Sequence, residues 1–238
     1  MSSTLCRAAA ATSDKDGDTS TVIRMLALHG KGGSGDEFSS RLGNYHEILQ
    51  NEFGTTLEVT SVDAPVSLDE GGFAWWSLAP GERSFTANVY EQFETSSDII
   101  QTELIRQPKS LKEPQQANFD VVYGHSQGAI LIAALLALNR IPVHPKHGYI
   151  LNGVAWPNPY AKELEALDFA QEDTPPPRVL FITGGDDRIN PPESQEKVKA
   201  SLEMAGADVT QIQHPGGHNI PTERDGILRQ ILDWIVSV

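Results

Sequence analysis

Five residues, Gly124-His125-Ser126-Gln127-Gly128, constrain this chain more than any other part of it. They follow an apolar, β-branched run, Phe119 to Tyr123, and precede the apolar run Ala129 to Leu138. The first run reads as a strand and the second as a buried helix. A chain that passes from strand to helix across five residues must turn sharply. The small glycines permit that turn and let the helix pack close to the strand. Such a turn pushes the Ser126 hydroxyl out at the strand's carboxyl end, within reach of a substrate. A lone Ser at a helix start is otherwise a cap. The strand before and the helix after favour a nucleophile here, whereas the letters G-x-S-x-G alone would not.

The rest of the chain alternates in the same way. Strands are expected at Val22–Leu28, Leu57–Val62, Phe119–Tyr123, Gly148–Asn152, Arg178–Thr183 and Val209–Gln213. Helices are expected from about Glu37 to Phe53, Phe85 to Arg106, Ala129 to Leu138 and Glu193 to Ala205. A short helical piece is expected near Ala161–Leu167, and a closing helix carries Ile227, Leu228, Ile231, Leu232 and Ile235 at helical spacing. Val66–Ser84 and Ala155–Pro177 read as irregular. Strand-helix alternation predicts an α/β architecture: a mostly parallel central sheet with helices on both faces.

With 238 residues the chain is long enough for one sizeable α/β core, expected over residues 21–238. Residues 1–20, rich in Ser, Ala, Thr and Asp, read as a flexible extension, with an organellar targeting segment as the rival. The formal net charge of −14 argues against a nucleic acid or an anionic membrane as partner, because phosphate backbones need a basic face. No apolar run approaches membrane-spanning length. The single cysteine, Cys6, allows no intramolecular disulfide and points to a reducing compartment such as the cytoplasm.

A serine hydroxyl needs a base to take its proton and a carboxylate to hold that base in the right tautomer. After the fifth strand come Gly184-Gly185-Asp186-Asp187, where local chemistry does not separate the two carboxylates. After the last strand come His214-Pro215-Gly216-Gly217-His218. The two glycines allow a loop that returns His218 over the turn at Ser126, while His214 ends the strand and orders the loop. His125 sits inside the turn and packs there. The scattered histidines and the lack of H-E-x-x-H or a cysteine pair make a zinc site a poor reading, and no cofactor is expected.

Acyl transfer builds negative charge on the substrate oxygen, which preorganised N–H groups stabilise. One donor is expected at the amide of Gln127, at a helix N-terminus, and the other at Lys31 in the Gly-rich loop after the first strand. That loop is no phosphate cradle, because Lys31 precedes the Gly cluster.

The ordered set Leu28-His29-Gly30, Asp63-Ala64-Pro65, Trp75-Trp76, Gly124-His125-Ser126-Gln127-Gly128-Ala129, Gly184-x-x-Asp187 and Gly216-Gly217-His218-x-x-Pro221 resembles the FSH serine hydrolases of the α/β-hydrolase superfamily. It departs from their usual pattern at His125, where members more often carry Phe, and at Lys31-Gly32-Gly33. The resemblance implies the α/β-hydrolase fold with a minimal cap, and a carboxylesterase- or thioesterase-like enzyme. It selects Asp187 over Asp186 and assigns nucleophile, orienting acid and general base to Ser126, Asp187 and His218.

Phe73, Trp75 and Trp76 are expected to wall an acyl pocket, with ordinary core packing as the alternative, and Trp156 to face the site from a small cap. The expected partner is a small-molecule acyl ester or thioester. Two other functions share these residues: a non-catalytic small-molecule binder on the same fold, and an amidase, lactonase or C–C hydrolase using the same three side chains.

Overall fold

A computed structural model of the protein describes residues 21–105, 119–141, 148–171, 175–223 and 225–237. Residues 1–20, with Cys6, and Arg106 at the end of the helix expected from Phe85 lie outside the described residues.

The elements in chain order are β1 (Thr21–Leu28), α1 (Gly35–Arg41), α2 (Gly43–Phe53), β2 (Thr55–Ser61), β3 (Val66–Ser67), β4 (Phe73–Ala74), α3 (Phe93–Ile105), β5 (Val121–His125), α4 (Gln127–Ala137), β6 (Gly148–Asn152), α5 (Ala161–Glu165), β7 (Arg178–Gly184), α6 (Pro192–Met204), β8 (Asp208–His214) and α7 (Gly226–Val236). Six strands form one parallel sheet in the order β2-β1-β5-β6-β7-β8, and β3 and β4 make a small antiparallel pair. This is the α/β-hydrolase fold.

Strand periodicity sorts the core into two layers. Leu26, Leu28, Val122, Tyr149, Leu151, Val179 and Phe181 face the layer that contains α4, with residues of α3, α5 and α6. Their neighbours Met25, Ala27, Tyr123, Ile150, Leu180 and Ile182 face the layer formed with α1, α2 and α7. The sheet is therefore covered on both faces, which explains why β5, β6 and β7 are buried along almost their whole length. Among the described residues no helix is long and apolar enough to cross a membrane.

Two expectations need correction. The helical stretch Glu37–Phe53 is two helices that meet at Leu42, whose carbonyl accepts from Tyr45 and His46. The helix expected from Phe85 begins only at Phe93. Tyr90 stacks on Trp76 at 4.2 Å and 6°, Ser77 and Glu91 bridge backbone to backbone, and Gln92 takes φ 68°. Docking on the Trp loop overrides local helix propensity there.

Candidate active site

The turn after β5 places Ser126 in a constrained conformation, φ 53° and ψ −116°, sparsely populated for a residue with a side chain. Neighbouring glycines permit it. A Cβ on Gly124 would lie 2.5 Å from the Ala129 nitrogen, and one on Gly128 would collide with the Leu28 carbonyl. Only bare backbone lets α4 sit this close to β5 and β1. The Ser126 N–H donates to the Asn152 carbonyl at 2.9 Å, fixing the turn to the end of β6.

Ser126 and His218 line one cavity of about 360 Å³ at the carboxyl ends of the strands. Adjacent strand ends deliver the other parts. β7 and β8 pair in parallel with Gly184 opposite His214, so the loops that follow them start side by side. The Asp186 N–H donates to the Gly216 carbonyl at 3.2 Å, and a Cβ on Gly184 would collide with the Gly217 carbonyl. Backbone contact between these loops brings His218 to Asp187. Its Nδ1–H donates to Asp187 Oδ2 at 2.7 Å. Its Nε2 is buried and makes no hydrogen bond among the described residues.

The structure separates the two carboxylates that local sequence left level. Asp186 turns outward to Arg188, at 3.1 Å. Asp187 is buried, and its Oδ1 accepts from the Ile189 and Asn190 amides at 2.9 Å each. Burial pushes the Asp187 carboxyl up, but hydrogen bonds from His218, Asn190 and Ile189 outweigh it and hold the group below its ordinary value. The carboxylate is thus ionised near neutral pH and accepts hydrogen bonds at both oxygens.

Beneath the imidazole lies Gly153, where a Cβ would sit 2.8 Å from His218 Cε1. Beyond His218, Asn152 Nδ2 donates to the Asn219 carbonyl at 3.4 Å and Tyr45 donates to the Pro221 carbonyl at 2.9 Å. The buried Tyr123 hydroxyl accepts from Asn152 at 3.1 Å, and burial pushes it up to about 12. His125 has its ring centroid 5.1 Å from that of His218 and stacks on Phe38. Burial, then the neighbouring His218, lowers it to about 3, so it is neutral at working pH.

The Gly-rich loop is braced by His29. Its Nδ1–H donates to the Gly30 carbonyl at 2.7 Å and its Nε2 accepts from the Ala64 N–H at 3.1 Å, which sets one neutral tautomer. Burial lowers its pKa, in keeping with both bonds. Gly32 and Gly33 pair with Phe73, and the Gly33 N–H donates back to the Gly30 carbonyl at 3.1 Å. Lys31 sits within this turn and lines the cavity with Phe38, Ile189 and Ile220.

The pocket wall expected of the aromatics is a correction. Phe73, Trp75, Trp76 and Trp156 do not line the cavity. Trp75 and Trp76 are fully buried in the α4-side core. Trp75 donates from its amide to Gln127 Oε1 at 3.0 Å and from its indole to the His29 carbonyl at 2.8 Å. Phe73 packs beside the same core and holds the Gly-rich loop by its backbone. Trp156 is buried, and its N–H donates to Ser194 Oγ at 2.7 Å. Farther along this segment Leu164 and Phe169 join the core and α5 packs on α4 and α6. Large aromatic area is better buried than exposed, and here the core beneath the loop takes it.

Sequence reasoning missed Gln195, Asn190, Asn152 and Tyr45. Asn152 at the end of a strand and Asn190 in the loop after one stand where site residues gather, but no local pattern marks Gln195 or Tyr45. Among the described residues no group of three or more His, Cys, Asp and Glu is placed to hold a metal ion.

Comparisons with known proteins agree with the fold described above. The chain is 28% identical to Esterase OVCA2 of Xenopus tropicalis over 223 residues, 89% of this chain and 92% of that one. It superposes on the crystal structure of esterase PE8 with a TM-score of 0.66 at 19% identity, covering 93% and 94% of the two chains. For the acyl-protein thioesterase 2 of Zea mays the TM-score is 0.61 at 20% identity, over 91% and 95%. At such identities the structural likeness is one of fold. The profile of the family described as "Serine hydrolase (FSH1)" matches residues 19–228, and the chain belongs to that family.

Proposed function

We propose that the protein hydrolyses carboxylic esters or thioesters of small to medium acyl chains through an acyl-enzyme on Ser126. One observation carries this reading: Ser126 and His218 line a single cavity, while the buried Asp187 is bonded to the far nitrogen of the same imidazole.

In this mechanism His218 Nε2 takes the proton of Ser126 as Oγ attacks the acyl carbonyl carbon. Asp187 holds the tautomer and stabilises the imidazolium. The N–H groups of Gln127 and Lys31 receive the developing oxyanion, the first aided by the positive end of α4. The tetrahedral intermediate collapses, and His218 returns its proton to the departing alkoxide or thiolate. Water, deprotonated by His218, then attacks the acyl-enzyme, and the acid leaves with Ser126 restored. Apolar Phe38, Ile189 and Ile220 suit an acyl chain, and a cavity of about 360 Å³ sets the scale at short to medium length. Membership of the serine hydrolase family and the esterase and thioesterase relatives support the same chemistry.

The test is hydrolysis of p-nitrophenyl esters and acyl thioesters of graded chain length. Ser126→Ala is expected to lower kcat by about 10⁶-fold with substrate binding retained. Equal rates for the variant and the parent would remove Ser126 from the reaction.

A further inference from the structure

We propose that Gln195, in α6, is a positioning residue for the His218–Asp187 pair, its side-chain amide fixing the carboxylate oxygen to which the imidazole is bonded. The inference rests on the reading of Ser126 as nucleophile given above.

Gln195 is 3% exposed, in the first turn of a helix whose other polar side chains mostly face water. Its Nε2 donates to Asp187 Oδ2 at 3.1 Å and to the Asn190 carbonyl at 2.7 Å, which uses both amide hydrogens. The carboxylate then has an assigned donor for each direction. Oδ1 is taken by the Ile189 and Asn190 amides, and Oδ2 by Gln195 and His218. With four donors in place, rotation of the carboxyl group breaks hydrogen bonds at both oxygens at once. Oδ2 therefore stays on the His218 side.

The clamp closes into a circuit. Asn190, held by Gln195 through its carbonyl, donates from Nδ2 to the Gly153 carbonyl at 2.6 Å. Gly153 is the surface on which the His218 ring rests. Gln195 thus links the carboxylate that grips the imidazole to the backbone that supports it.

The residue type fits the task. An amide donates to a carboxylate without supplying a charge that would compete with the imidazolium. A Lys would compete, and an ionised Glu would repel Asp187. The amide oxygen of Gln195 is buried with no partner among the described residues.

Two variants test this. Gln195→Met keeps the length and removes the donor. Gln195→Glu keeps the shape and donates only when protonated. On an ester substrate, Gln195→Met is expected to lower kcat roughly 10- to 100-fold with KM within about twofold of the parent. Gln195→Glu is expected to show a new descending limb in its kcat–pH profile, as the introduced carboxyl ionises beside Asp187 and turns from donor to repellent. Neither the parent nor Gln195→Met should show that limb. A purely structural role would change the folded fraction and leave the profile of the surviving enzyme unaltered. Parent-like kcat in Gln195→Met, or a parent-shaped profile in Gln195→Glu, would overturn the inference and leave the hydrolase reading standing. Should Gln195→Met fail to fold, the profile of Gln195→Glu still decides. A parent enzyme no faster than Ser126→Ala would overturn both.

Discussion

His125 shows how one residue in the turn affects both site and stability. Its ring is wedged between Phe38 and His218, and burial holds its pKa at about 3 against 6.5 for an ordinary histidine. Between those two values the unfolded chain binds a proton here that the folded protein does not. Stability therefore falls as pH drops below about 6.5, by at most about 1.4 kcal/mol per pH unit from this residue. His29 and His214, both lowered first by burial, act in the same direction. His125→Phe keeps an aromatic ring and removes the titration. Urea unfolding at several pH values from 7 to 5 should give a shallower loss of stability in the variant. Identical slopes would show that His125 is not buried neutral.

At this scale the sequence was most informative where local geometry dictates residue type. Glycines beside Ser126, and those before His218, mark places where backbone must touch backbone. Asp187 and Asp186 were separable by pattern but not by local chemistry, because only the fold decides which one faces Arg188 and which one faces the imidazole. Gln195 carried no signal, since its role arises from a helix packed against a loop before it in sequence.

Elements follow local rules until a tertiary contact outweighs them. α7 is an amphipathic helix, and the structure adds its start: Asp225 Oδ1 accepts from the Ile227 and Leu228 amides at 2.9 and 3.0 Å. Asp225→Ala should lower the unfolding free energy by about 1 kcal/mol, read from the urea midpoint. An unchanged midpoint would mean that the cap contributes nothing. α3 shows the opposite case. Its expected first two turns are drawn off by Trp76 and by the Ser77–Glu91 bridge, a competition with no trace in helical spacing. The Trp loop was legible as a loop but its aromatics were not legible as core, because hydrophobicity alone does not separate a pocket wall from packing beneath it.

For the whole molecule, alternation of strand and helix sufficed to predict a parallel sheet covered on both faces. Chain order puts Ser126, Asp187 and His218, proposed as nucleophile, acid and base, after β5, β7 and β8. Why they lie at one end of the molecule is a property of the sheet. β5 and β7 are separated only by β6, and β8 lies next to β7, so their carboxyl ends open on one edge. The cavity's size and lining depend on α1 and on the loops holding Ile189 and Ile220, which approach from distant parts of the chain and left no mark in sequence. The central claim, that Ser126 is made nucleophilic by His218 and Asp187, is tested most directly by intact-mass analysis after exposure to a fluorophosphonate. The account predicts one covalent adduct per chain, mapped to Ser126, absent from Ser126→Ala and strongly slowed in His218→Ala. An unmodified parent chain, or an adduct that persists in Ser126→Ala, would contradict it.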